Sequence, residues 1–76
     1  MTSLRKVSGA KLLKILCNKF GFSVSGRKGS HVRISKLIPQ GKIGTVIPLH
    51  ASLKIGTLKA ILKQINLSEE EICIYL

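Results

Sequence analysis

A two-layer α+β sandwich, three antiparallel strands with both helices on one face, is the fold this 76-residue sequence predicts. Three observations lead to it. Apolar residues recur at helical spacing twice, as Leu12, Ile15, Leu16, Phe20 and as Leu58, Ile61, Leu62, Ile65. Between these stretches the chain alternates apolar and polar residues, as half-buried strands do. Glycine and proline turn signals punctuate the alternating part, which gives the order α-β-β-β-α in one domain spanning residues 1–76.

The first helix runs from residue 8 or 9 to residue 20. Lys11, Lys14 and Asn18 fall opposite its apolar stripe, Ser8 is placed to cap it, and Gly21 suits the left-handed conformation that ends it. "FSVSGR" (22–27) then alternates Phe22 and Val24 with serines, and "HVRIS" (31–35) alternates Val32 and Ile34 with His31, Arg33 and Ser35. A turn containing Lys28 and Gly29 joins these two strands. The alternation turns one side toward a helix and leaves His31 and Arg33 on the open face, away from Val32 and Ile34.

Pro39, Gln40 and Gly41 make a second turn, and "KIGTVIP" (42–48) forms a third strand with Ile43, Thr45 and Ile47 on one side, although Val46 interrupts the alternation. Pro48 has no amide to give a ladder and ends the strand. A loop through "PLHASLKIG" leads to the second helix, from about 56 to 66, with Gly56 or Thr57 at its cap. Ser68 and Glu71 spell a capping box, so a short helical turn follows.

Thirteen Lys and Arg face three acids, and those three are Glu69, Glu70 and Glu71, so the first 68 residues carry no negative side chain. A formal charge of +10 draws polyanions and speeds encounter with them. Nucleic acid is the first partner this implies, an acidic protein the second and a membrane surface the third. So short a chain buries only roughly 60–65% of the surface it exposes when unfolded, which leaves no volume for a deep pocket and a regulatory domain together. Cys17 and Cys73 form no zinc-ligand spacing and, with no export signal, point to reduced thiols in a cytoplasmic protein. "KLLKILC" is interrupted by Lys14 and is much too short for a membrane span.

Cleavage of a phosphodiester needs either metals held by carboxylates or an acid/base group beside the ribose 2′-hydroxyl. With no carboxylate in the first 68 residues, two-metal chemistry has no ligands, and neither a metal nor an organic cofactor is expected. His31 remains. An imidazole exchanges its proton near neutral pH; at His31 it would take the 2′-hydroxyl proton while Lys28 and Arg33 balance charge at phosphorus. Gly29 lets backbone approach the phosphate and Ser30 offers it a hydrogen bond. The substrate is then RNA, because DNA lacks that hydroxyl.

Residue types alone keep a second reading open. A lone histidine in a basic patch is more often a plain phosphate contact, which would make the chain an RNA- or DNA-binding module without catalysis. Lys54, just before a helix start whose amides favour an anion, reads either as a further phosphate contact or as a solvated lysine. His50 reads as a loop residue that caps backbone or packs on the sheet. "KIGT" lacks the long glycine loop of a P-loop, and Phe20, Phe22 and Tyr75 make no stacking platform for bases.

Four segments, "SGAKLLKIL" (8–16), "GFSVSGRKGSH" (21–31), "IPLH" (47–50) and "LKIGTLKAILKQINLSEEE" (53–71), occur in an order and spacing that resemble the HicA family of small toxins from prokaryotic toxin–antitoxin pairs. GSH followed by P-x-H and G-T-L-x-x-I-L-K-Q is far more specific than GSH alone. The resemblance implies an mRNA interferase with a double-stranded-RNA-binding-domain-like fold, neutralised by an antitoxin of the HicB type. It further implies that His31, the histidine of GSH, is catalytic, with Gly29 and Ser30 beside it. His50 matches the histidine after the family proline, in a structural or substrate-positioning role, and Lys54, Gly56 and Thr57 match the segment leading into the second helix. The chain departs from the family pattern in "SKLIPQGKIG" (35–44), which lacks an acidic or strongly polar tip and leaves Leu37 and Ile38 available to a partner. Cys17 and Cys73 match nothing catalytic.

Overall fold

A computed structural model describes residues 4–76. Ser8 caps helix α1 (Gly9–Lys19): its backbone is extended and its hydroxyl accepts the Lys11 amide at 3.0 Å. One of the donors that a first turn leaves unpaired is thereby satisfied. The helix buries Leu12, Ile15 and Leu16 of the stripe expected from spacing, together with Gly9, and ends one residue early with Phe20 half-buried at its C-cap. After Phe20, Gly21 adopts a φ of +76° and the Phe22 amide reaches back to the Leu16 carbonyl at 3.2 Å. The chain reverses there with the Phe22 ring turned inward.

Strands β1 (Ser23–Lys28), β2 (His31–Ile38) and β3 (Gly41–Pro48) form an antiparallel sheet in the order β1-β2-β3. Lys28 lies opposite His31 and Ile38 opposite Gly41, so each hairpin turns in two residues, Gly29–Ser30 and Pro39–Gln40. The second strand continues three residues past Ser35, because Lys36, Leu37 and Ile38 pair with Ile43, Lys42 and Gly41. Val32, Ile34, Thr45 and Ile47 are buried on the inner face. Val46 points to the open face, 41% exposed, so the alternation of β3 is regular and Val46 is simply an apolar residue on the solvent side.

Val24 corrects the expected pattern. It pairs with the buried Ile34 and so lies on the helix side, yet it is 55% exposed. Both long helices pack against β3, and β1 at the other edge of the sheet reaches beyond their cover. A bulge between Val24 and Gly26 bends this edge, which discourages addition of another strand.

Helix α2 (Ile55–Gln64) starts earlier than its composition suggests, with Lys54 at the N-cap instead of Gly56 or Thr57. No side chain caps it; the Lys54 carbonyl accepts the Leu58 amide at 3.0 Å. It also stops short of residue 66. Asn66 takes a φ of +57°, a conformation asparagine tolerates better than most residues, and the Leu67 amide closes onto the Leu62 carbonyl at 3.0 Å. Ser68 and Glu71 complete the capping box of α3 (Glu69–Cys73), which buries Ile72.

Thr45, buried on the inner face, donates its hydroxyl to the Gln64 side-chain oxygen and ties the end of α2 to β3. Gln64 is exposed and can turn to water, so Thr45→Val should lose one net hydrogen bond. A thermal melt is expected to show a loss of about 1 kcal/mol, a Tm lower by roughly 4–8 °C; an unchanged Tm would mean the bond adds nothing.

One cluster of buried residues joins the inner face to all three helices, with Leu12, Leu16, Ile34, Ile47, Leu58 and Ile72 among its members. The result is the expected α-β-β-β-α arrangement of a double-stranded-RNA-binding-like domain, followed by the short α3, with the helices on one side of the sheet. Among the described residues, no helix is long and apolar enough to cross a membrane.

Candidate active site

The first hairpin builds the site. Gly29 has a φ of +59° and Ser30 does not share the positive sign, the pattern of a type II′ turn, which follows the twist of its strands and favours glycine at the first position. A Cβ added at Gly29 would meet nothing within 4 Å, so backbone conformation, not crowding, selects glycine there. Arg27 Nε donates to the Gly29 carbonyl at 3.2 Å and braces the turn.

His31 is the first residue of β2. Strand alternation buries Val32 and leaves His31 and Arg33 exposed on the open face, as expected. Arg27, Lys28, Gly29, Ser30, His31 and Arg33 line a cleft of about 770 Å³. Three of these side chains are cationic and none is acidic, so the imidazole sits in a surface that attracts phosphate. A second depression, of about 370 Å³, shares Arg33 and Val46 with the cleft and continues past Ser35 and Lys42 along the sheet.

Backbone contacts bring His50 to the same place. The Leu49 amide donates to the Ser30 carbonyl at 2.7 Å, which carries the β2–β3 pairing one step beyond Pro48. The next carbonyl, that of His50, accepts the Gly9 amide at 2.9 Å. Gly9 is buried so tightly against β3 that a Cβ there would stand 1.9 Å from the Pro48 carbonyl oxygen. The hairpin turn, the end of β3 and the start of α1 thus meet in one junction. The exposed rings of His31 and His50 stand beside it with centres 6.5 Å apart and planes inclined by 72°.

Of the residues singled out in the sequence, Lys28, Gly29, Ser30, His31 and Arg33 share the cleft, and His50 stands next to His31. Lys54, Gly56 and Thr57 lie outside that lining, at the cap and in the first turn of α2. Sequence reasoning missed Gly26, Arg27 and Val46 as cleft residues. Arg27 stood in plain view beside Lys28; the register pairs it with Val32, and its Nε bond to the Gly29 carbonyl carries it round to the turn, whereas Val46 reaches Arg33 by direct cross-strand pairing. Among the described residues, no three His, Cys, Asp or Glu side chains are grouped so as to hold a metal ion.

The α-β-β-β-α order and one-sided helices place the domain in the class built like double-stranded-RNA-binding modules, here with a cationic open sheet face and an accessible imidazole at its end. The family model described as the HicA toxin of bacterial toxin–antitoxin systems matches residues 9–67. The chain belongs to the HicA toxin family, and membership carries a toxin role, with RNA and an antitoxin as the implied partners. No curated protein and no solved structure matches it.

Proposed function

We propose that this chain is an endoribonuclease, the mRNA-cleaving toxin of a HicA/HicB pair, which works without a metal and uses His31 as its general base. The observation that carries this reading is the exposed His31 ring at a cleft lined by Arg27, Lys28 and Arg33. RNA lies along the open face with a phosphate in the cleft. His31 takes the proton of the neighbouring 2′-hydroxyl, and the oxygen so activated attacks phosphorus. Lys28 and Arg33 offset the charge that builds on the phosphate oxygens. Gly29 and Ser30 keep the turn slim enough for the strand to pass close to the backbone. Lys54 meets a phosphate further along the RNA, and Gly56 and Thr57 serve the start of α2.

A HicB-like antitoxin of acidic character would cover the same face, competing with RNA for its charge. Leu37, 81% exposed, and Val46 give such a partner apolar contacts that RNA would not use.

Incubating the purified protein with labelled single-stranded RNA in EDTA tests the reading. Shortened RNA is the expected result; RNA that is retarded in a gel yet never shortened, even at high protein concentration, would favour the binding module instead. Phosphate contact by the two cations has its own check. Lys28→Ala and Arg33→Ala should each weaken RNA binding and flatten the slope of log affinity against log salt by about 0.7. A slope unchanged in both variants would remove them from the phosphate contacts.

A further inference from the structure

We infer that His50 is a second catalytic histidine, the general acid that protonates the leaving 5′ oxygen when RNA is cut; the inference rests on the endoribonuclease reading above. Attack by the 2′-hydroxyl poses two proton problems. One proton must leave the 2′ oxygen as it bonds to phosphorus, and another must reach the 5′ oxygen as its bond to phosphorus breaks, because an alkoxide is a poor leaving group. A lone base solves only the first. In-line displacement sets the attacking and leaving oxygens on opposite sides of phosphorus, so the base and the acid must flank the phosphate.

The two rings are arranged for that task. Their centres are 6.5 Å apart and their planes are inclined by 72°. With each reacting nitrogen about 2.7–3.0 Å from its oxygen, rings at this separation can converge on one phosphate seated over the pair, each reaching a different oxygen. Both side chains are exposed. Their spacing is held by backbone alone: the Leu49 amide on the Ser30 carbonyl, and the Gly9 amide on the His50 carbonyl. The His50 ring takes no part in that junction and is left for chemistry. The three side-chain carboxylates of the chain belong to α3 and take no part in the cleft.

The step balances. His31 accepts the 2′-hydroxyl proton, the 2′ oxygen bonds to phosphorus, the bond from phosphorus to the 5′ oxygen breaks, and protonated His50 gives its proton to that oxygen. The products are a 2′,3′-cyclic phosphate and a 5′-hydroxyl. Proton exchange with water then returns both imidazoles to their starting states.

The test compares ordinary RNA with RNA carrying sulfur in place of the bridging 5′ oxygen at one linkage that the wild type cuts. A thiolate leaves without needing a proton. His50→Ala and His50→Gln are expected to cut the oxygen linkage about 100-fold more slowly than wild type and the sulfur linkage at close to the wild-type rate, whereas His31→Ala stays slow on both. Substitution leaves the backbone junction intact, so both His50 variants should melt near wild type; should the alanine variant unfold, the glutamine variant carries the comparison. His50 variants equally slow on both linkages would overturn the acid role in favour of a structural one, and variants as fast as wild type on oxygen would overturn it outright. In either event a slow His31→Ala leaves the endoribonuclease reading standing. Failure of the wild type to cut either RNA would end both.

Discussion

His31→Ala is expected to cut RNA about 10²–10⁴-fold more slowly than wild type, the range that general acid–base catalysis contributes. Its thermal melt and its RNA affinity should stay close to wild type. The imidazole is exposed on the open face and fills no part of the core, and surface substitutions of that kind usually change stability by less than about 0.5 kcal/mol. Arg27, Lys28 and Arg33 remain to hold the phosphate, so binding and cutting separate in this variant. Single-turnover cleavage in EDTA, beside a gel-shift titration, measures both. Undiminished cleavage by His31→Ala would remove the general base from the mechanism. A parallel loss of affinity would mark His31 as a plain phosphate contact, the alternative that residue types alone left open.

Gly9→Ala is expected to lower the Tm by roughly 8–16 °C, equivalent to about 2 kcal/mol. The added Cβ would lie 1.9 Å from the Pro48 carbonyl oxygen and 2.9 Å from the Leu49 Cα, and neither is the free end of a side chain that could swing away. Overpacking of this kind costs about 1–3 kcal/mol, and loosening the Gly9–His50 hydrogen bond adds about 1 kcal/mol. Alanine's better helix propensity returns at most about 1 kcal/mol, so the clash wins. Gly56→Ala is the control. It sits in the first turn of α2, where a Cβ meets nothing within 4 Å, and it should be neutral or slightly stabilising. The same junction that Gly9 seals holds His50 beside His31, so Gly9→Ala should also cut RNA more slowly at a temperature where it is still folded. A Gly9→Ala protein as stable as Gly56→Ala would show that α1 can withdraw from β3 at little cost.

Features set by neighbours in the chain are legible in the sequence itself. The stripe of Leu12, Ile15 and Leu16, the cap at Ser8 and the box at Ser68 and Glu71 are short-range patterns, and the fold contains each of them. Strand alternation likewise separates His31 and Arg33 from Val32 and Ile34. Features set by distant segments are not legible in this way. Val24 has the pattern of a core residue, and only the packing of the helices at the other edge of the sheet leaves it exposed. Lys54 carries no capping chemistry, so nothing in the sequence announces that α2 begins beside it. The nearness of His50 to His31 depends on two long-range backbone bonds and on a glycine whose crowding is invisible in "SGAK".

RNA with a single 2′-deoxynucleotide on the 5′ side of a linkage that the wild type cuts, assayed in EDTA, probes the attacking hydroxyl itself. That linkage should survive intact while neighbouring linkages in the same molecule are still cleaved. Cleavage there at the all-ribose rate would mean that water or another nucleophile attacks phosphorus, and the role given to His31 would be wrong.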